Sequence, residues 1–326
     1  MDRLKFDGRV MVVTGAGRGM GAAHAAELAA RGAKVMVNDL GGDMFGEGAS
    51  SEPAEQMAQQ IRAAGGDALA NGDDVSTAEG CASLISSAVD AFGRLDGVVH
   101  NAGIARFTPI AETDEPSFDE VLRVHLHGGF NLTQQAWPHL AQRGGSIVYI
   151  TSGAGLYGVP TLVGYAAAKV GLVGLMRCAA TEGNEAGIRV NALAVAAATR
   201  MMDWMEDTPN LHAWFQRYMK PELPAAAAVS LLHQDCTATG RIFEAFGPHM
   251  AEVLIAETSG FTKLDMTAED FTEHLDQITA RDGLIFPDGP DDFHGRMFGF
   301  AMDAGAEPFE PDAEQAPLIT VADDHQ

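Results

Sequence analysis

The stretch VMVVTGAGRGMG, residues 10–21, constrains the fold more than any other part of this 326-residue chain. An apolar, valine-rich run enters a turn carrying Gly15, Gly19 and Gly21 and leaves it as a helix that begins near Met20. The same alternation then repeats. Further strand-like segments lie at Lys34–Asp39, Gly97–Asn101, Ser146–Thr151 and Arg189–Leu193, and the first run is Val10–Thr14. Alanine-rich segments with helical spacing separate them: Gly21–Arg31, Pro53–Ala64, Ala78–Phe92, Phe118–Arg143 and Gly164–Ala186. Strands that read as continuous apolar runs are buried on both faces, and helices between them supply right-handed crossovers. The expected fold is therefore α/β, a Rossmann-like, doubly wound parallel sheet.

The pattern continues to about Phe246, so residues 1–250 are expected to form one domain. Residues 251–326 are expected to be an acidic C-terminal extension that wraps the domain or a partner subunit. Within it Thr267, with Asp270 three positions on, opens a short amphipathic helix, and FPDGPDDFHG is rich in turn residues. The last ~15 residues are expected to be mobile.

Glycine at 15, 19 and 21 has a physical reason. The turn is tight, and a Cβ would keep the backbone away from a pyrophosphate resting on the helix N-terminus and its free N–H groups. Arg18 and Met20 belong to the same loop. A glycine triplet alone is a weak signal, but here a strand precedes it, a helix follows it and an acid stands at the right distance. That acid is Asp39, 24 residues after Gly15. A carboxylate there accepts hydrogen bonds from the adenosine ribose hydroxyls and repels a 2′-phosphate, which favours NAD over NADP. Arg18 argues the other way, since a guanidinium pairs with a 2′-phosphate. Asp74 and Val75 follow a further short strand, the third in chain order, between the helical segments 53–64 and 78–92, and are candidates to hold the adenine.

The fourth strand ends in VVHNAG, where the Asn101 amide can tie neighbouring strands and the small Ala102 and Gly103 leave room beside a cofactor. After the fifth strand come Ser152, Tyr165 and Lys169. Tyr165 and Lys169, four apart on a helix, share one face. An ammonium close to a phenol stabilises the phenolate and lowers a pKa otherwise near ~10. Ser152 can donate a hydrogen bond to a substrate oxygen. A lone Y-x-x-x-K is common by chance; placed after the fifth strand, with a serine 13 residues earlier, it is specific.

With TGAGRGMG, NAG, Ser152 and YAAAK in this order and spacing, the chain resembles the short-chain dehydrogenase/reductase superfamily over about residues 4–250. LKFDGRVMVVTGAGRGMG, VMVNDLGGDMFGEG, VLRVHLHGGFNLT and YMKPELPA bring it nearer to one branch, the (3R)-hydroxyacyl-CoA or 17β-hydroxysteroid dehydrogenase modules of type-two peroxisomal multifunctional enzymes. The resemblance implies hydride transfer between a nicotinamide and a secondary alcohol or ketone. It implies that Ser152 orients the reacting oxygen, Tyr165 exchanges the proton, Lys169 lowers the Tyr165 pKa and binds the nicotinamide ribose, and Asn101 positions the cofactor. His125 stands where the superfamily usually has asparagine. There a helix irregularity exposes a carbonyl that reaches the lysine through water, so the His125 carbonyl is expected to serve Lys169, with the ring making a local hydrogen bond. Pairing through the helices around 100–140 and 164–186 implies a homodimer or homotetramer.

One departure concerns the cofactor. The family usually has Pro-Gly after the sixth strand, whereas this chain has Val195 and Ala196. A rigid turn and a site of close backbone approach are lost, so the carboxamide contact through Thr199 and the cofactor affinity are expected to be weakened. The segment that sets specificity, about 199–223, carries Met201, Met202, Trp204, Met205, Trp214, Phe215 and Tyr218. That apolar, adaptable surface suits a small apolar alcohol or ketone: a hydroxysteroid, a 3-hydroxyacyl group or an alicyclic alcohol. Its cations are few, Arg200, Arg217 and Lys220. The alternative is a degenerate member that binds nucleotide as a structural or sensing module; the intact Ser152, Tyr165 and Lys169 argue against it.

Composition closes off other classes. A net charge of −24 argues against nucleic acid and anionic membrane as partners. Three scattered cysteines form neither a disulfide framework nor a zinc ribbon and read as reduced thiols. No run is expected to span a bilayer, the start lacks an apolar leader, and the expected compartment is the cytoplasm. His125 and His127, two apart on a helix, point in nearly opposite directions and cannot chelate one ion, so no metal is expected and His127 is expected at the surface.

Overall fold

The first apolar run forms β1 (Val10–Thr14), buried along its whole length at the centre of the domain. A computed structural model describes residues 3–199, 208–287 and 289–307. After β1 come α1 (Gly19–Ala29), β2 (Lys34–Asn38), α2 (Glu52–Ala63), β3 (Asp67–Asn71), α3 (Ala78–Phe92) and β4 (Gly97–His100). Then follow α4 (Glu115–Leu122), a π-helical turn (Arg123–His127), α5 (Gly128–Leu140), β5 (Ser146–Thr151), α6 (Gly153–Tyr157), α7 (Val163–Gly183) and β6 (Arg189–Ala196). The domain ends with α8 (Pro209–Tyr218), α9 (Glu222–Leu232), β7 (Ile242–Phe246) and β8 (His249–Val253).

Among the described residues eight strands form one sheet in the order β3-β2-β1-β4-β5-β6-β7-β8, parallel except for the antiparallel β7–β8 pair. Helices cover both faces, with one apolar layer built around Val13, Val35 and Leu28 and the other around Val12, Ile147 and Leu172. This is the doubly wound α/β architecture. The order of strand addition reverses between the parallel neighbours β1 and β4, which opens a crevice beyond their C-terminal ends.

Several elements differ from the sequence expectation. The single helix expected over 118–143 is α4, the π-helical turn and α5, because the Gly128 N–H reaches back five residues to the Arg123 carbonyl. β6 runs three residues beyond Leu193. Without a Pro-Gly turn, Val195 and Ala196 stay extended and pair with Ala245 and Phe246 of β7. Contrary to expectation, one helix, α7, is long and apolar enough to cross a membrane by length and composition. It packs on the sheet instead and buries Lys169, Leu172 and Met176 among its neighbours.

The chain divides into two compact units at Val253 and Leu254. The second holds α10 (Ala268–Glu273), α11 (Leu275–Ile278) and α12 (Pro290–Asp303). Thr267 and Asp270 cap α10 reciprocally. α12 begins inside the turn-rich stretch, since Gly289 at φ +125° turns the chain and Pro290 presets the first helical φ. Arg296 of this helix is paired with Glu257 and Asp292. The terminal segment expected to be mobile lies outside the described residues after 307.

Candidate active site

The crevice is a cavity of about 870 Å³, and every catalytic and cofactor-binding candidate named from the sequence lines it. Its floor is the glycine loop. Gly15 takes φ +62°, and a Cβ there would stand 2.8 Å from the Ala102 Cα. At Gly21 a Cβ would fall 2.1 Å from the Gly15 carbonyl oxygen. The loop is held from the neighbouring strand by the Asn101 amide, which donates to the Thr14 and Gly15 carbonyls at 3.0 and 3.1 Å. The tie expected of Asn101 is therefore present, and its backbone N–H also donates to Thr14 Oγ1.

These residues fit a dinucleotide. The N-cap residue Arg18 makes no side-chain cap on α1, and no acid occupies the first turn of that helix. Its leading N–H groups, with the positive end of the helix dipole, are free for a phosphate. Asp39 follows β2 directly, its Oδ2 accepting from Gly17 N–H and its Oδ1 from Gly41 N–H, both at 2.8 Å. The carboxylate is thus fixed at the cavity wall with lone pairs to spare. Arg18 is turned to the Gly41 and Gly42 carbonyls at 3.1 and 3.2 Å. Asp74 and Val75 stand on the wall after β3, and Thr199 lies across from Gly19.

The opposite wall carries Ser152, Tyr165 and Lys169. Ser152 caps α6, its Oγ accepting from Ala154 N–H at 3.1 Å, and its hydroxyl also hydrogen-bonds the Tyr165 phenol. Lys169 is buried, and its Nζ donates to the Ile150 carbonyl at 2.6 Å, 5.4 Å from the Tyr165 ring centre. The electrostatics differ from the sequence expectation. Burial raises the Tyr165 pKa above its ordinary 10.0, and the Ser152 hydrogen bond only partly opposes it. Burial also brings Lys169 down from 10.5 to about 7. Both charged forms are penalised by the same apolar wall, and the amine is spent on a carbonyl rather than on the phenol.

At His125 the structure adds a partner that the sequence did not suggest. The irregular helix is present, but the His125 carbonyl accepts from His100 Nε2 at 2.8 Å, so the expected service to Lys169 meets a competing donor. The ring makes its local hydrogen bond, with Nε2 2.8 Å from the Ile104 carbonyl. His127 is exposed and His125 buried, so the two face apart. Among the described residues no group of three or more His, Cys, Asp or Glu side chains is placed to hold a metal.

The profile of the short chain dehydrogenase family matches residues 9–209. The chain belongs to that family. Over 242 residues, 74% of its length, it is 41% identical to peroxisomal multifunctional enzyme type 2 of Mus musculus. Over 285 residues, 87% of its length, it is 37% identical to peroxisomal multifunctional enzyme A of Dictyostelium discoideum. The aligned stretches span 32% and 63% of those longer proteins. A short chain dehydrogenase crystal structure from Mycobacterium avium superposes with a TM-score of 0.72 at 36% identity, covering 83% of this chain and 94% of that one. That family is one of oxidoreductases that use nicotinamide dinucleotides on small substrates.

For a short-chain dehydrogenase the departures are as informative as the matches. Val195 and Ala196 line the cavity from the end of a strand rather than from a turn. In the specificity segment, residues 200–207 lie outside the described residues, Arg200, Met201, Met202, Trp204 and Met205 with them. Trp214, Phe215 and Tyr218 form an aromatic cluster on α8, ring centres 5.4–5.7 Å apart from Trp214, and are not on the cavity wall. The sequence reading missed Met44, Phe107, Glu120 and the segment 159–162, which do line the cavity. The repeated turn chemistry of GGDMFGEG was a usable signal for the first of these.

Proposed function

We propose that this short-chain dehydrogenase is NAD-dependent and interconverts a secondary alcohol and its ketone on an apolar substrate, with Tyr165 exchanging the proton. The observation that carries this reading is the convergence of Ser152, Tyr165 and Lys169 on the cavity floored by the glycine loop. Gly15, Gly19, Gly21, Asp39, Asn101 and Thr199 would hold the dinucleotide, whose nicotinamide accepts or returns a hydride when bound. Asp39, fixed by two backbone N–H groups, supports NAD over NADP.

The residues divide the remaining work. Ser152 Oγ already accepts from Ala154 N–H, so its proton is available to the Tyr165 phenol or to a substrate oxygen. The Tyr165 hydroxyl stands beside it to give or take the alcohol proton. Lys169, with a pKa near 7, is close to half protonated at neutral pH, so a modest field converts it fully to the ammonium that stabilises a phenolate. Ile104, Phe107, Val159, Pro160 and Leu162 face the same space and support an apolar substrate: a hydroxysteroid, a 3-hydroxyacyl group or an alicyclic alcohol. Exposed Phe130 on α5 and Val170 on α7 support pairing of two or four copies through these helices.

The test follows NADH absorbance across hydroxysteroids, (3R)-hydroxyacyl-CoA thioesters and cyclic alcohols, with NADP in parallel. One class is turned over, and Tyr165→Phe lowers that rate by about 100-fold or more, as loss of a general acid–base does. Tight NAD binding with no turnover on any class favours the nucleotide-binding structural module instead. Equal turnover by Tyr165→Phe refutes the mechanism.

A further inference from the structure

Two buried histidines have no side-chain part in the steps assigned to Ser152, Tyr165 and Lys169. His100 closes β4 and His125 lies in the π-helical turn, each about 1% exposed. Their protonation follows from their neighbours. Thr14 Oγ1 accepts from Asn101 N–H and Ala102 N–H, both at 3.1 Å, so its single proton is directed to His100 Nδ1 at 3.4 Å. His100 Nδ1 is then the acceptor. Nε2 carries the hydrogen that is donated to the His125 carbonyl at 2.8 Å. The next link runs through the His125 side chain. Its Nε2 lies 2.8 Å from the Ile104 carbonyl and 3.1 Å from the Ile104 N–H.

The His125 ring touches both walls of the cavity. It packs edge-on against Tyr165, ring centres 5.2 Å apart at 84°. Its Cε1 occupies the space beside Gly103, where a Cβ would be only 2.1 Å away. Both rings stay neutral, because burial and the nearby Lys169 charge hold their pKa values well below the usual range.

We propose that His100 and His125 are positioning residues for the dehydrogenase reaction. They form a neutral two-histidine bracket through which the cofactor-side backbone at Thr14 and Gly103–Ile104 fixes the Tyr165 ring. The inference rests on Tyr165 as the proton-exchanging group. A π-helical turn is seldom stable on its own account. Here His100 holds its His125 carbonyl, and the turn aims the ring at Tyr165. Loss of either link lets the turn relax and frees the phenol to move, which lowers kcat while leaving the glycine loop to bind cofactor.

The experiment compares His125→Phe, His125→Gln, His100→Phe and the double variant His100→Phe/His125→Phe in the intact protein. Steady-state kcat, the KM for NAD and the melting temperature are measured, with Tyr165→Phe alongside. His125→Phe keeps the edge contact but loses Ile104. Its kcat falls about 10- to 100-fold, the rate equivalent of one buried hydrogen bond, while the KM for NAD moves by less than about threefold. His125→Gln, whose amide both donates to and accepts from Ile104, recovers most of that loss. His100→Phe repeats the His125→Phe defect, and the double variant is no worse than the weaker single, since both act along one chain.

The inference is overturned if His125→Phe keeps kcat within about twofold, if Gln and Phe are equally impaired, or if the two losses multiply. If His100→Phe does not fold, the two His125 variants decide between the same outcomes. If Tyr165→Phe retains turnover, the assignment of Tyr165 fails and this inference falls with it. Loss in Tyr165→Phe with no kcat defect in His125→Phe defeats the bracket alone.

Discussion

Lys169→Met is expected to abolish turnover and yet make the cofactor-free protein more stable at neutral pH. Lys169 is buried and its pKa falls from 10.5 to about 7 in the fold. Between those values the unfolded chain holds a proton that the folded chain has given up. Stability therefore rises with pH across this window and is lowest at and below pH 7, where the folded state must carry a buried ammonium or release its proton. Each pH unit inside the window is worth about 1.4 kcal/mol. From pH 7 to 9, allowing for half protonation at the lower end, the wild type gains roughly 2 kcal/mol from this group alone. Lys169→Met has no such term, although it leaves the Ile150 carbonyl unpaired at every pH. The assay is urea unfolding of both proteins from pH 6 to pH 9. The expected result is a variant whose advantage over wild type shrinks by roughly 2 kcal/mol as pH goes from 7 to 9. A difference independent of pH would refute the reasoning, because it would mean that Lys169 keeps its proton at an ordinary pKa.

Two further outcomes follow from side chains the site does not use in the same way. His24 on α1 is fully buried with neither ring nitrogen paired, and burial lowers its pKa from 6.5 to about 4. Its contribution is complete above pH 6.5 and is lost as pH falls towards 4, so His24→Leu is expected to gain about 1–3 kcal/mol at pH 7 and to flatten the acid side of the unfolding profile; an unchanged acid midpoint would count against this. Gly103→Ala places a Cβ 2.1 Å from His125 Cε1, so it is expected to cost about 1–3 kcal/mol in urea melts, and the cost should vanish in the His125→Ala background. Additive losses in that pair would show that the ring is not what excludes the side chain.

Much of the domain was legible because its signals are local. β1, β5 and α3 have the bounds read from the sequence, since an unbroken β-branched run or a capped amphipathic repeat is decided by neighbours in the chain. The edge strands were harder. β3 reads DALAN and is only partly buried, so it lacks the apolar run of a central strand. β8 is half exposed and pairs only with β7. The end of β6 was also open to the fold: Val195 and Ala196 are extended because β7 is there to pair with them.

At the site the division is sharper. Spacing along the chain is enough for the order strand, glycine turn, helix, for the acid after β2, and for the four-residue step that sets Tyr165 and Lys169 on one face, because backbone periodicity fixes these. Charge states and hydrogen-bond partners depend on the packed fold. Burial moves Tyr165 up and Lys169 down, and both shifts depend on what lies around the groups rather than on their spacing. His100 meets the His125 carbonyl across 25 positions of chain, on a strand and a helix that only the packed sheet brings within 2.8 Å.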